Sequence, residues 1–401
     1  MLTMKPTSID LFAGVGGLTL GFQAAGIHTT HAIDIEKSCA EVFPNNFPDV
    51  QFIQKSVADF SDTEIEHLAP DGVDVVAGGP PCQGFSLIGL RDPDDDRSKL
   101  IFEFRRYVNI LRPKYFVMEN VPGMLSAEKG KWVQTLISQL EADGYNIADP
   151  KILNATEFGV PQERRRVFLL GTRKDIYSHL DVPTPTHWSP RKRKGLINIP
   201  EGREKFVSVQ EAISDLPDIE KHDYLIEGHK TPYDKHPTSD YARMMRGVGS
   251  YRSFFGNPNR NWDPTTCTNC KRIVHGEVLR QRFRETSPGE TVPVSRLFKL
   301  DWNDVANTLR AGTPSSRGSY SSPRPVHPEE LRCISVREGA RLQGFPDWFE
   351  FHSTKWHGFR QVGNSVSPLV AKAVGQKIVA AIDSNSQILE NFPSAKRALI
   401  A

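Results

Sequence analysis

The stretch Asp10-Leu-Phe-Ala-Gly-Val-Gly-Gly-Leu18 decides how this chain folds. The apolar run Ser8–Phe12 reads as a strand, Leu18–Ala25 as a helix, and Thr29–Asp34 as a second strand. Glycines between a strand and a helix permit positive φ and let backbone N–H groups approach a ligand. Asp34 follows Gly16 by eighteen residues and ends the second strand. An acid there can accept hydrogen bonds from both ribose hydroxyls of a nucleoside cofactor. A nicotinamide cofactor fits this unit almost as well, and an ordinary tight turn is the bland alternative. The strict six-residue glycine fingerprint of pyrophosphate-binding turns is missing, which favours a methyl donor that carries no pyrophosphate.

Outward from this turn, Asp74–Ala77, Tyr115–Glu119 and Arg166–Gly171 are further short apolar runs. Strands alternating with helical patterns predict an α/β fold with a mainly parallel sheet covered on both faces. The pattern changes near Val182, where Pro183, Pro185, Pro190 and Pro200 break any long helix. Residues 1–185 therefore read as a catalytic and cofactor-binding domain, and 186–330 as a smaller, loop-rich domain. Residues 331–401 read as a C-terminal segment that returns to the first domain, with helices predicted at Val336–Leu342 and Pro368–Ile382.

The whole chain of 401 residues carries a net charge of only +2, which names no partner. Its distribution says more. From Tyr241 to Pro325 there are 14 Lys or Arg against 6 Asp or Glu, a bias suited to a phosphate-facing surface or to a solvated face. No run of about 18 apolar residues is evident, and Met1–Asp10 has no signal-peptide core. The expectation is a cytoplasmic protein with no membrane partner. Five cysteines in such a chain argue against a disulfide framework.

One of them stands out. Val75-Val-Ala-Gly-Gly-Pro-Pro-Cys-Gln-Gly-Phe-Ser86 puts Cys82 just past a strand end, after two stiffening prolines. Ligands of open α/β sheets bind at the carboxyl ends of the strands, so Cys82 is expected to share a cleft with the glycine turn. A lone cysteine is usually a small core residue, but Gly-Gly-Pro-Pro and Gln-Gly make a poor core segment. A positioned thiolate is a strong nucleophile. Carbon 5 of cytosine cannot attack a methyl sulfonium unaided. A thiolate added at carbon 6 makes carbon 5 enamine-like, and a base later removes the carbon 5 proton. Protonation of ring nitrogen 3 eases the addition. Lys114-Tyr-Phe-Val-Met-Glu-Asn-Val-Pro122 supplies Glu119 for that role, at the end of another apolar strand. A helix cap or a surface acid is its ordinary alternative.

Taken together, these segments resemble the DNA cytosine-5 methyltransferase family, of the bacterial restriction-modification type. The resemblance spans the chain except roughly residues 186–300. Six motifs carry it in order: the Phe12–Leu18 turn, Pro81-Cys-Gln83, Glu119-Asn-Val121, Gln162-Glu-Arg-Arg-Arg166, Arg337-Glu-Gly-Ala-Arg-Leu-Gln-Gly-Phe-Pro346 and Gln361-Val-Gly-Asn-Ser-Val366. It implies a Rossmann-like sheet that binds S-adenosylmethionine, with Cys82 attacking carbon 6 and Glu119 contacting nitrogen 3 and the exocyclic amine. Arg164 and Arg166 match the Gln-x-Arg-x-Arg pattern implied to support the target base, while a strand-edge ion pair is the expectation for Arg165. Phe12, Gly14, Gly16, Leu18, Asp34 and Ile35 are implied to hold the cofactor, closed from the far end of the chain by Asn364 and Ser365. The C-terminal helix should then fold back beside the first strand. Arg337–Pro346 is read as joining the two domains.

The resemblance also implies that Ser86 to Lys99 closes over duplex DNA, with Ser86 and Arg97 near phosphate, and that the 186–330 domain reads the target. Thr308-Leu309 matches a pair the family carries there. Arg280, Arg282, Arg284 and Arg310 are candidate phosphate or guanine contacts. The family often has Gly-Asp-Ile where this chain has Lys55-Ser56-Val57, which leaves Ser56 or Asp59 as the adenine contact. Cys267-Thr-Asn-Cys270 with His275 offers less than the four ligands of a closed zinc site, so no metal is expected. The enzyme is expected to act as a monomer, with a cognate endonuclease acting separately. A tRNA cytosine methyltransferase is the nearest rival, but its Cys-Phe-Thr segment is not found here. A silent DNA-binding partner is disfavoured by the intact Cys82, Glu119 and arginines, and a nicotinamide dehydrogenase by the cysteine loop.

Overall fold

Strand β1 (Thr7–Leu11) runs through the middle of an eight-stranded sheet and delivers the glycine turn at its carboxyl end. The structure, a computed structural model, describes residues 5–81, 96–189, 200–256, 262–312 and 324–391. After the turn come α1 (Gly17–Ala25), β2 (His28–Asp34), the one-turn helices α2 (Lys37–Ala40) and α3 (Phe43–Asn46), β3 (Gln51–Gln54), α4 (Asp62–Glu66) and β4 (Val75–Gly78). Helix α5 (Asp96–Leu111), β5 (Tyr115–Asn120), α6 (Lys131–Ala142), β6 (Tyr145–Ile147), β7 (Lys151–Asn154) and β8 (Arg165–Arg173) complete the sheet. Strands β3-β2-β1-β4-β5 lie side by side and are all parallel. Strand β8 runs antiparallel to β5, and β6 and β7 pair in turn along its other edge. The sheet is thus mainly parallel, as expected, with one reversed strand that the sequence reading did not specify.

The central strands are buried on both faces, as their near-continuous apolar runs require. Tyr115–Asn120 is buried at every residue. One core layer gathers Ile9, Leu11, Val76, Phe104, Phe116 and Leu136 under α5 and α6. The opposite layer gathers Leu20, Phe22, Val75 and Val117 with Val370, Ala371, Val374 and Ile378 of the last helix, α12 (Pro368–Asn391).

Helix α12 folds back against α1 rather than beside β1. Both edges of β1 are already paired, to β2 and β4. Gly21 permits the close approach: a Cβ built there would stand 2.3 Å from that of Ala371. The run Lys355–Ile388 is long and apolar enough to cross a membrane by length and composition, contrary to the sequence reading. More than half of its apolar window is buried inside the protein, against the core described above.

Residues beyond β8 form small pieces: β9 (His187–Trp188), β10 (Glu204–Lys205), α7 (Val209–Ile213), β11 (Lys230–Pro232), α8 (Asp240–Arg246), β12 (Thr266–Thr268) and α9 (Glu277–Glu285). They are tied to α10 (Val336–Gln343) by buried arginines. The Arg341 guanidinium bonds both Asp347 oxygens, at 2.5 and 2.7 Å, both Asp215 oxygens, and the Ala212 carbonyl. Arg337 donates to the Thr268 carbonyl and hydroxyl and to the carbonyls of Pro346 and Phe349. Burial of such charges is tolerated only when they are fully paired, and this pairing joins α7 and β12 to the C-terminal segment.

Candidate active site

The cofactor side of the cleft starts with local backbone demands. Phe12 has φ 56°, an uncommon value for a side-chain-bearing residue, and Gly16 has φ 96°. A Cβ on Gly16 would also stand 2.4 Å from the Phe47 ring. Helix α1 has no side-chain cap at Gly16; instead Asp10 reaches across from β1, accepting from Thr19 N at 3.2 Å and Thr19 Oγ1 at 2.7 Å. Burial pushes the Asp10 carboxyl up to about 7.

Asp34, at the end of β2, accepts from Gly14 N at 2.7 Å and Glu36 N at 2.8 Å. Burial raises its affinity for a proton, and those two N–H groups oppose the rise. Ile35 beside it is 68% exposed, unusual for a large aliphatic side chain. The facing wall is α11 (Lys355–Asn364), whose last residue is Asn364 and whose C-cap is Ser365. A Cβ on Gly17 would lie 2.2 Å from the Val366 carbonyl, so the glycine turn and the chain after α11 are in direct contact. Together these elements enclose a cleft of about 430 Å³, within the size range of cofactor sites.

The chemistry end of the same cleft is lined by Gly79, Pro80, Pro81, Glu119, Asn120, Arg164 and Arg166. Glu119 closes β5, and the Arg166 Nε lies 3.0 Å from its Oε1, both side chains largely buried. Burial pushes the Glu119 carboxyl above its ordinary range, against the pull of Arg166 and Arg164. Asn120 Nδ2 donates to the Pro80 carbonyl at 3.1 Å, and a Cβ on Gly79 would come 3.3 Å from Glu119 Oε2. The backbone that leads into Cys82 therefore runs against Glu119. Cys82 and Ser86 lie outside the described residues, and of Arg97 only its place in α5 is described.

A model of the family described as C-5 cytosine-specific DNA methylase matches residues 7–380. The chain belongs to this family. It is an S-adenosylmethionine-dependent DNA cytosine-5 methyltransferase. Among its relatives, type II methyltransferase M.XorII of Xanthomonas oryzae pv. oryzae is 44% identical over 94% of this chain and 85% of its own length. Type II methyltransferase M.DdeI of Desulfomicrobium norvegicum is 33% identical over 97% of this chain and 92% of its own. A crystal structure of a prophage-encoded DNA modification methyltransferase (E. coli) superimposes with a TM-score of 0.75 at 31% identity, covering 94% of this chain and 99% of that one.

The cleft of this methylase fits its methyl donor. Gly14 has no atom within 4 Å of where a Cβ would stand, leaving its backbone open to a ligand. Beside it are a carboxylate, Asp34, and an exposed aliphatic side chain, Ile35, suited to a ribose and an adenine face. Phe12, Gly14, Leu18, Asp34, Ile35, Asn364 and Ser365 all line the cleft; Gly16 shapes it from behind. Of the two alternatives for the adenine side, Ser56 lines the cleft with Val57, and Asp59 does not.

Arg164 and Arg166 part company. Arg166 faces Glu119, whereas Arg164 is fully buried and donates to the carbonyls of Leu309, Gly363 and Ser365. Arg164 thus locks β8 to α11 and to the Thr308–Leu309 segment. The expected ion pair of Arg165 is not formed among the described residues; its side chain is exposed and the Arg166 guanidinium bonds its carbonyl. Thr308 donates to the Glu163 carbonyl at 2.6 Å, which spends its hydroxyl proton on the fold. Among the described residues no cluster of three metal-ligating groups occurs. Cys267 and Cys270 are buried free thiols, and His275 Nε2 accepts from Cys333 N. The sequence reading missed Leu100, Glu36 and Arg360, which also line the cleft. No spacing rule connects Arg360 to Glu36, which lies 324 positions away.

Proposed function

We propose that this methyltransferase modifies one cytosine within a short duplex site, as the modification half of a type II restriction-modification system. The cytosine is flipped out of the stack, because a protein nucleophile cannot reach carbon 6 of a paired base. The single observation that carries the reading is the buried Glu119–Arg166 pair packed against the Gly79–Pro80 backbone that leads into Cys82.

Cys82, as thiolate, adds to carbon 6. Glu119 holds a proton at nitrogen 3, aided by the burial that raises its carboxyl's affinity for a proton, and accepts from the exocyclic amine through its other oxygen. Arg166 orients that carboxyl and limits how far its proton affinity rises. S-adenosylmethionine, when bound, supplies the methyl group to carbon 5. Asp34 orients its ribose, Ile35 and Val57 flank its adenine, and Phe12, Asn364 and Ser365 shape the far end. Arg164 acts by holding the walls together rather than by touching the base. Loss of the carbon 5 proton to a water base, return of the nitrogen 3 proton to Glu119 and expulsion of the Cys82 thiolate then restore the aromatic ring.

The catalytic domain comprises residues 1–185 with 331–401, and residues 186–330 read the target. Arg280, Arg282 and Arg284 on α9, with the exposed Arg310, offer phosphate and guanine contacts. The relatives named as type II methyltransferases support the assignment to restriction-modification. The likeness to M.XorII over nearly the whole chain also favours DNA over tRNA as substrate.

The test is incubation with methyl-labelled S-adenosylmethionine and either plasmid DNA or total tRNA, with Cys82→Ala in parallel. The DNA is then sequenced at single-base resolution for methylcytosine. The proposal expects label in DNA at one recurring short site, abolished by the substitution. Label confined to tRNA, or label in DNA that survives Cys82→Ala, rejects it.

A further inference from the structure

Across the mouth of the cofactor cleft, Arg360 of α11 donates to Glu36 Oε2 at 3.3 Å. Both residues line the cleft, and both are partly buried, with side chains 28% and 37% exposed. Glu36 is held on its other oxygen as well, where Ser38 Oγ donates to Oε1 at 3.3 Å. Its own backbone N–H donates to Asp34 Oδ1 at 2.8 Å, while Gly14 N holds Asp34 Oδ2 at 2.7 Å. A continuous chain of contacts thus runs from a helix near the C-terminus, through Glu36, to the carboxylate at the end of β2.

A second contact runs beside it. Gln361 Nε2 donates to the Ser38 carbonyl at 2.7 Å, and His352 Nε2 lies 3.1 Å from Glu41 Oε2. Gln361 fastens the backbone of the segment at Ser38, and His352 meets the Glu41 side chain. Among the described residues Arg360 is the one cation that reaches Glu36, whose N–H helps to hold Asp34. The neighbouring carboxylates press on one another: Glu36 favours the protonated form of Asp34, and Asp34 that of Asp10. Without the guanidinium, the Glu36 and Asp34 carboxylates repel each other, and the loop that carries Ile35 between them loses its fixed position.

We infer that Arg360 is a positioning residue for S-adenosylmethionine, acting through Glu36 to aim the Asp34 carboxylate at the cofactor ribose. The inference rests on the reading of Asp34 as the ribose-binding acid. It assigns Arg360 no contact with the reacting atoms, so its effect falls on cofactor affinity.

The test measures the dissociation constant of S-adenosylhomocysteine by calorimetry, and KM for S-adenosylmethionine against kcat, for the full chain and four variants. These are Arg360→Gln, Glu36→Gln, the charge swap Glu36→Arg with Arg360→Glu, and Asp34→Ala. A partly exposed ion pair predicts about a two- to fivefold weakening for each single neutralisation. The loss should appear in both the dissociation constant and KM, and the swap should recover part of it. Each measurement is repeated with 2′-deoxy-S-adenosylhomocysteine. Against that ligand the Arg360→Gln loss should shrink, since one partner of the aimed carboxylate is gone. An equal loss for both ligands, or a loss confined to kcat, or no recovery in the swap, overturns the role of Arg360. If Asp34→Ala itself leaves affinity unchanged, the reading of Asp34 fails instead, and the two failures are distinguished. Thermal melting of each variant separates a fold defect from a positioning defect: a lowered Tm with unchanged affinity also overturns the inference.

Discussion

Replacing Arg166 by Gln should move the pH dependence of methyl transfer in a direction that the active-site geometry dictates. The Arg166 Nε stands 3.0 Å from Glu119 Oε1, with side chains only 17% and 11% exposed. Two unit charges at that distance attract by about 5 kcal/mol at an effective dielectric of about 20. A tenfold change in proton affinity corresponds to about 1.4 kcal/mol. Water entering the space of the lost guanidinium offsets part of this, and the Glu119 pKa still rises further above its ordinary range. The sign follows from what Arg166 does: it favours the carboxylate, so its removal favours the protonated form. Glu119 must hold a proton to serve nitrogen 3, so the rate falls as pH rises through its pKa. In Arg166→Gln that falling limb should move to higher pH, even though the maximal rate drops through lost orientation. The assay is single-turnover transfer from saturating S-adenosylmethionine to a cognate duplex, across pH 5 to 10. Glu119→Gln, which cannot titrate, serves as control and should lack the limb while losing about 10²- to 10⁴-fold in rate. A limb that stays in place in Arg166→Gln, or moves to lower pH, refutes the reasoning.

Other expectations follow from the same geometry. Gly16→Ala puts a Cβ against the Phe47 ring at a φ of 96°. It should cost about 1–3 kcal/mol of stability in denaturant unfolding and weaken cofactor binding in calorimetry. Arg341→Ala leaves the buried Asp215 and Asp347 carboxylates without their shared partner. A loss of about 3–5 kcal/mol is expected, read as a fall in Tm. Changing Arg280, Arg282 and Arg284 together to Ala should weaken binding to cognate and unrelated duplexes alike if they contact phosphate, and flatten the dependence of affinity on salt. Specificity loss without a change in salt dependence would instead mark them as base readers.

The sheet was legible because its signals are local. The glycine turn, the apolar runs of β1, β4 and β5, and Asp34 at a strand end each depend on a few adjacent residues. Strands β6 and β7 were not legible: Tyr145–Ile147 and Lys151–Asn154 are short edge segments, specified by pairing with β8 rather than by their own pattern. The cofactor cleft was readable where motifs carry it, and unreadable where it depends on contacts between distant segments. Arg360 meets Glu36, and Arg164 meets Ser365, only after the chain has closed on itself. The same holds for the helix contact of α12, which is set by Gly21 against Ala371 rather than by any feature of β1. Arg164 and Arg166 stand two apart, a spacing that puts side chains on one face of a strand, yet Arg164 precedes β8 and reaches the carbonyls of Leu309, Gly363 and Ser365, while Arg166 within β8 meets Glu119.

The central claim is that Cys82 forms a covalent bond to carbon 6 of the target cytosine. It is tested most directly with a cognate duplex carrying 5-fluorocytosine at the methylated position, in the presence of S-adenosylmethionine. Fluorine at carbon 5 cannot leave as a proton, so the enzyme–DNA adduct should persist through denaturing electrophoresis. Peptide mass spectrometry should then place the nucleotide on Cys82, and Cys82→Ser should form no adduct. A duplex that is methylated normally when unfluorinated, yet gives no stable adduct or one on another residue, would contradict the account.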